Sequence, residues 1–276
     1  MVFKAYTLAS GLFAIVAIAI ILCLLSVDSF KVLSSVPPGA FVAGIWNPSS
    51  GEYNLLPMVV GGLAACSGSL LLVTPISLLS ALALHFLFPR WLAVVIRKIF
   101  EIMSGIPSVI FGLWGLGFLV PEINRMAPPG ASLMAAALVL SLMVLPSTIL
   151  LTAQAINDVP KEQMVASESL GMSLFNRIRV VLLPFTWTRI GSILCLQFAR
   201  TLGETMAVVM VAGNIPAFPT SVFDPIRTLT GHIALEMPYA EGLHRSSLML
   251  SGLMLCLPSL VLFYLARRYL ARVRLI

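Results

Sequence analysis

Long apolar runs separated by short polar stretches are the dominant pattern along the chain. A membrane-crossing helix needs about 20 mostly apolar residues. Six runs meet that need: 8–27, 55–88, 102–120, 131–156, 185–213 and 247–266. The first has 20 residues, longer than the about 7–15 of a signal-peptide core, and no A-x-A cleavage site follows it. It reads as a retained membrane helix. The second is too long for one straight crossing, so Thr74-Pro75 is expected to kink it, or its end to run past the bilayer. Gly105-Ile106-Pro107 falls near the start of the third run and Pro146 inside the fourth. Such prolines are tolerated in membrane helices because neighbouring helices and Ser/Thr side chains satisfy the freed carbonyls. The pattern predicts an all-α polytopic membrane protein with six transmembrane helices, one transmembrane domain over 1–276.

Composition agrees. The chain is 59% hydrophobic and 10% charged, with mean hydropathy +1.02. Soluble domains carry about 25% charged residues, so this one has too little polar surface to face water on all sides. The net charge of +6 does not point to nucleic acid, because the basic residues sit in short loops between apolar runs. Cys23, Cys66, Cys195 and Cys256 all lie inside apolar runs without a CxxC, as small buried hydrophobes do. His85, His232 and His244 have no ligand spacing, so no metal site is expected. No GxxxxGK[ST] loop is present, so any ATP used must be bound by another chain. Without a nucleophile motif or a His/Asp/Glu cluster, the chain reads as a transport subunit rather than an enzyme. Gly61-Gly62 and Ser67-Gly68-Ser69 read as places of close helix packing.

Loop charges set the orientation. With the N-terminus inside, the inner segments hold Lys4, Arg90, Arg97, Lys98, Lys161, Arg177, Arg179, Arg189, Arg267, Arg268, Arg272 and Arg274. The outer segments hold Lys31, Arg125, Arg227 and Arg245. Twelve against four places both termini in the cytoplasm, by the positive-inside rule. The outer stretches are then 28–54, 121–130 and 214–246, the first and last rich in turn formers.

Two stretches carry candidate chemistry. The inner loop 157–183 opens on Asp158-Val159-Pro160, with Asp158 near the N-cap of a helix and Pro160 in its first turn. That helix would run to about Leu170. Gly171 suits a left-handed position after it, and Ser173 can cap a second short helix leading to Pro184. On pattern alone this is either an amphipathic connector or a docking projection. In the fifth run Arg200 lies near the middle, where an Arg costs about 2.5–3.5 kcal/mol on insertion. Glu204, four residues on, would share its helix face. The two form either a structural ion pair or a pathway-facing guanidinium held by a carboxylate. The guanidinium has five fixed donors, which suit a tetrahedral oxyanion.

Three motifs resemble the permeases of ATP-binding-cassette importers. The family's loop runs E-A-A, three residues, Gly, nine residues, I-x-L-P. Here Val165-Ala166-Ser167, Glu168-Ser169-Leu170, Gly171 and Val181-Leu182-Leu183-Pro184 keep that spacing, with Val165 in place of the leading Glu and Ser167 in the third position. Gly105-Ile106-Pro107-Ser108-Val109-Ile110-Phe111-Gly112-Leu113-Trp114-Gly115 resembles the G-I-P-S-V-x-x-G-x-W-G stretch of phosphate importer permeases. Ala199-Arg200-Thr201-Leu202-Gly203-Glu204-Thr205-Met206-Ala207-Val208 with Gly213-Asn214 resembles their R-A-x-G-E-T-M-A-V…G-N stretch, in its PstC-type form. Trp46-Asn47-Pro48 also fits that type.

The resemblance implies a type I importer permease in the bacterial or archaeal inner membrane. Arg200, Glu204, Thr201, Thr205 and Ser108 would line the substrate pathway. Val165, Ala166, Ser167, Glu168, Leu170 and Gly171 would form the coupling helix that docks on the ATPase. The implied partners are a second homologous permease subunit, two ATPase subunits holding ATP and Mg, and an extracytoplasmic phosphate-binding protein. This chain would bind no cofactor itself. Other oxyanions (sulfate, molybdate, tungstate, phosphonate) stay open, since the coupling loop is common to all these importers. An ion-coupled secondary transporter is the alternative from another class; it would show paired repeats with broken helices, and no repeat stands out.

Overall fold

The computed structural model describes residues 2–273, so Arg274 in the basic C-terminal stretch lies outside the described residues. The helices are α1 (Val2–Ser35), α2 (Leu56–Phe86), α3 (Arg90–Ser104), α4 (Ser108–Trp114), α5 (Val120–Met126), α6 (Leu133–Asn157), α7 (Lys161–Ser169), α8 (Leu174–Arg177), α9 (Leu183–Leu202), α10 (Met206–Val211), α11 (Leu229–Glu236) and α12 (Gly242–Val273). The all-α expectation holds apart from a small antiparallel hairpin, β1 (Trp46–Asn47) and β2 (Glu52–Tyr53), between α1 and α2.

Five stretches are long and apolar enough to cross a membrane: Tyr6–Ser35, Leu56–Phe86, Leu133–Asn157, Leu174–Leu202 and Gly242–Arg268. A sixth is counted if α3 and Ser108–Met126, bent by 91°, make one span. Two boundaries differ from the sequence reading. The third run was expected over 102–120, but the chain turns at Gly105-Ile106-Pro107, and its apolar helix covers Ser108–Met126. Proline disfavours helical backbone at the residue before it, which stops α3 and restarts the helix with Pro107 at the N-cap of α4. The fifth run was expected to be one helix over 185–213. Instead it starts at Leu174, ends at Leu202 and resumes as α10 after Gly203-Glu204-Thr205.

Prolines explain two further irregularities. A π-helical turn spans Gly115–Leu119 ahead of Pro121, and another spans Ile178–Leu182 ahead of Pro184. In an α-helix a proline removes one hydrogen bond and its ring collides with the carbonyl four residues back. A single widened turn absorbs that collision without ending the helix. Thus α4–α5 and α8–α9 each continue through their proline.

The core is built on α2 and α6. Small residues let their backbones approach: a Cβ on Gly68 would lie 3.3 Å from the Cβ of Ala137, and Ser141 Oγ donates to the Ser69 carbonyl at 3.3 Å. Ala65, Val73, Ala136, Val139, Leu140 and Met143 fill this seam, with Ala207, Val208 and Val211 of α10 packed on it. The loop 214–228 closes the start of α6. The first-turn donors of a helix have no partner within it. Here Leu133 N–H donates to the Asp224 carbonyl and Met134 N–H to that of Val222, while Ser132 caps Ala135 N–H. The first helix leans mainly on α12 and is otherwise exposed along its apolar length.

At the α4–α10 crossing, a Cβ on Gly112 would come within 2.8 Å of the Ala207 Cα, a backbone atom that cannot swing away. Gly112→Val is therefore expected to part the two helices, at an overpacking cost of about 1–3 kcal/mol. Gly191→Val, where a Cβ meets nothing within 4 Å, serves as the control. Melting of the detergent-purified protein should fall for the first variant only, and equal melting would show that the close approach is unimportant.

Candidate functional site

The break at 203–205 shapes the site. Gly203 N–H donates back to the carbonyls of Ala199 and Arg200, and Glu204 N–H to that of Thr201, which closes the end of α9. The Glu204 carbonyl is taken by the Thr230 hydroxyl at 2.7 Å, so the irregular backbone is satisfied from α11. Because the helix ends at Leu202, the four-residue spacing from Arg200 to Glu204 no longer puts both on one face. Among the described residues Arg200 has no ion-pair partner, so the ion pair expected with Glu204 is not formed.

The two side chains serve different surroundings. Arg200 is exposed, and its Nη1 donates to Ser147 Oγ of α6 at 3.4 Å. Gln197 Nε2 donates to the same oxygen at 3.2 Å, and Gln197 Oε1 is buried with no hydrogen-bond partner among the described residues. These three make a polar seam between α6 and α9. Glu204 instead lines a cavity of about 340 Å³ with Thr201, Thr228 and Thr230, walled by apolar residues of α2 and α12. Thr201 is buried with its hydroxyl on the Phe198 carbonyl. Thr205 sits in the break with its hydroxyl near the Gly203 carbonyl, at 3.5 Å. Ser108, half-buried, opens α4 after the 91° bend. Those last two residues belong to neither group.

The loop 157–183 has the form its sequence predicted. Gly171 has φ +71°. Its N–H donates to the Glu168 carbonyl and that of Met172 to the Ser167 carbonyl, closing the turn after α7. Ser173 Oγ accepts from Asn176 N–H at the start of α8. One detail differs: Pro160 takes the N-cap position of α7, while the Asp158 carboxylate pairs with Arg189 on α9. Glu168 and Arg177, 2.9 Å apart, tie α7 to α8. Met164, Ile178 and Phe185 pack beneath, on a buried cluster that includes Ile156, Val159 and Leu182. Val165, Ala166, Glu168 and Gly171 face outward, whereas Ser167 is buried with its hydroxyl on the Met164 carbonyl. Leu170 is 80% exposed and Phe175 69%.

The opposite end holds a cluster that sequence reasoning missed. The Glu236 carboxylate accepts from Trp46 Nε1 at 2.9 Å, pairs with Arg227 Nη1 at 2.5 Å and meets His244 Nε2 at 2.9 Å. His232 Nδ1 lies 3.6 Å away, and the His232 ring stands edge-on to Trp46 with centroids 4.2 Å apart. Arg227 Nε also donates to the Asn214 carbonyl at 2.8 Å. One carboxylate thereby joins the hairpin, the loop 214–228, α11 and α12. The four-residue spacing of His232 and Glu236 was a legible signal. Trp46, however, is 190 positions from Glu236, and no local pattern connects them. Burial pushes the His232 pKa down to about 4, against the pull of Glu236, with Arg227 and His244 adding to the drop. Burial alone would raise Glu236, but His232, His244, Trp46 and Arg227 outweigh it and hold that carboxyl below its ordinary range. His232 is therefore neutral at neutral pH, and Arg227 carries a full positive charge beside Glu236.

Residues 73–275 match the family described as binding-protein-dependent transport system inner membrane component. The chain is 36% identical over 265 residues to the probable ABC transporter permease protein YqgH of Bacillus subtilis, covering 94% of this chain and 85% of that one. It is 29% identical over 294 residues to the phosphate transport system permease protein PstC of Mesorhizobium japonicum, covering 99% and 90%. For PstC of Pasteurella multocida the figures are 32% over 249 residues, covering 83% and 78%. Among solved structures it resembles a chain of the MetNI methionine ABC transporter in inward-facing conformations. The TM-score is 0.61 at 17% identity, covering 82% of this chain and 99% of that one, a likeness of fold.

The cluster at Glu236 gives a pH prediction. A histidine whose folded pKa lies below its unfolded value of about 6.5 contributes stability above that pH and loses it on acidification towards the folded value. For His232, with its pKa lowered to about 4, the loss should reach about 2 kcal/mol by pH 5. Glu236 acts in the same direction at lower pH, since a depressed carboxyl loses its contribution as pH falls through it. The melting midpoint in detergent should drop between pH 7.5 and pH 5. His232→Phe, which keeps a ring against Trp46, should reduce the drop, and an unchanged drop would place the pH dependence elsewhere.

Proposed function

Because the chain belongs to the family of binding-protein-dependent transport system inner membrane components, we propose that it is the permease subunit of an ATP-driven phosphate importer. Phosphate as cargo is supported by the phosphate transport permeases among its relatives and by the motifs around Ser108 and Arg200. The observation that carries the reading is the exposed Arg200 guanidinium on an apolar span, without an ion-pair partner among the described residues. Facing lipid, that group would cost at least about 2.5–3.5 kcal/mol. It is accommodated if this face borders a watery pathway shared with a second permease subunit. A guanidinium cannot lose its proton, and its planar fork matches the oxygens of a tetrahedral anion.

In this reading Ser147 holds Arg200 at the pathway wall, and Gln197 shares the same hydroxyl oxygen. Glu204, Thr201 and Thr205 flank the helix break, where a change of angle between α9 and α10 would move Arg200 relative to α6. Ser108 lies at the base of α4, which packs on α10 through Gly112 and Ala207. The segment from Val165 to Gly171 docks on one of two separate ATPase subunits, which bind ATP and Mg. Leu170 and Phe175 supply the apolar contact that Val165, in place of an acidic residue, does not weaken. An external phosphate-binding protein delivers cargo on the side of the hairpin. Both termini lie in the cytoplasm, and the chain acts as one permease domain.

Two measurements test this. In membranes with matched expression, Arg200→Gln should abolish phosphate uptake while the complex still assembles. Arg200→Lys should restore little, because it lacks the fork, and Glu204→Gln should impair uptake less. Near-normal uptake by Arg200→Gln would place the pathway elsewhere. For the loop, a single cysteine at Ser173 in a cysteine-free background should react with an impermeant thiol reagent only in inside-out vesicles. Bound ATPase should shield it. Labelling from the outside of intact cells would overturn the orientation, and labelling unaffected by the ATPase would overturn the docking role.

A further inference from the structure

Helix α3 has three faces, and the chain uses one. Ala93, Ile96 and Phe100 pack against Leu84 of α2 and Ile149 of α6. Trp91, Val95, Ile99 and Ile102, recurring at helical spacing, form a second row that is exposed, from 48% at Val95 to 72% at Ile102. Arg90, Arg97 and Lys98 lie on a third, with Glu101 as its acidic member. At 3.6 residues per turn the three rows point about 100° or more apart. The helix meets Ser108–Met126 at 91°. With that stretch crossing the bilayer, α3 runs along its surface, one face on the bundle, the apolar row towards acyl chains and the basic row at headgroup level.

We propose that α3 is a lipid site that holds an anionic phospholipid, with the guanidiniums of Arg97 and Arg90 on the phosphodiester and Trp91, Val95 and Ile102 against the acyl chains. The charges favour this occupant. Lys98 is neutralised by Glu101 at 2.7 Å, but among the described residues Arg90 and Arg97 have no ion-pair partner. Arg97 is half-buried and Arg90 exposed, and a phosphodiester offers the acceptor oxygens a guanidinium fork takes. The adjoining apolar row separates a phospholipid from a free anion, which would have no use for it. Trp91, at the start of the helix, is the residue type that anchors at headgroup depth.

Native mass spectrometry tests the site. The full chain, purified with its partner subunits, is released from nanodiscs of equal phosphatidylglycerol and phosphatidylcholine, and the retained lipids are counted. Phosphatidylglycerol should be retained preferentially. Arg90→Gln and Arg97→Gln should each cut that preference about fivefold, the usual effect of one basic residue beside an anionic surface. Removing the same number of charges on α12, as Arg267→Gln with Arg268→Gln, should leave it unchanged. Arg97→Lys, which keeps the charge and protects the fold, should retain most of it. An unchanged preference when Arg90→Gln and Arg97→Gln are combined overturns the proposal, as does an equal loss in the α12 control. Displacement of the lipid by excess inorganic phosphate, or loss of a partner subunit in place of lipid, would assign α3 to a free anion or to a protein contact and also overturn it. None of these readouts involves transport, so failure here leaves the phosphate reading standing.

Discussion

The close approach of α2 and α6 is the constraint on which the other helices depend. In a bilayer, apolar contact between helices gains little over contact with lipid, so association rests on tight packing and interhelical hydrogen bonds. Gly68 against Ala137, and Ser141 on the Ser69 carbonyl, provide both at one level. With α2 held on one side, α6 presents its remaining surface to α3, α4, α9 and α10. It is accordingly the span with the largest buried share. A bulkier seam would displace every element that touches α6, including the Ser147 hydroxyl on which Arg200 and Gln197 converge.

Around this pair the chain is repeatedly interrupted, and each interruption has a local cause and a nearby remedy. Gly105-Ile106-Pro107 turns the chain because proline restricts the residue before it. Pro121 and Pro184 are absorbed by widened turns. The break at 203–205 leaves Gly203 exposed and Glu204 and Thr205 half-buried, and irregular backbone at membrane depth needs protein or a water-filled cavity to satisfy it; Thr230 supplies one partner. That break also separates the tasks of two neighbours in sequence. Arg200 stays on an outer seam, and Glu204 turns to an inner cavity.

The two ends of the molecule are held in different ways. At one end a single carboxylate, Glu236, collects Trp46, Arg227 and His244 from three parts of the chain. At the other, Gly171 and the Glu168–Arg177 pair hold a projection rigid while Leu170 and Phe175 stay bare.

By itself the sequence determined the elements whose cause is local. Apolar runs of about 20 residues call for membrane helices wherever they occur. Gly171 announced its left-handed turn, and Ser173 its cap, from immediate neighbours alone. The family of the chain was legible for the same reason, since its motifs are contiguous stretches with fixed spacing. What the sequence misjudged was the fifth apolar run. Hydropathy continues through Gly203-Glu204-Thr205, so a periodic reading joins Arg200 to Glu204 on one face. Whether a helix crosses such a stretch is decided by what can satisfy its freed backbone groups, here a threonine from α11. The cluster at Glu236 lay equally out of reach, because its members meet only after α1, α2, α11 and α12 have packed. Tertiary structure decided those points, since burial and long-range hydrogen bonds carry no signal along the chain.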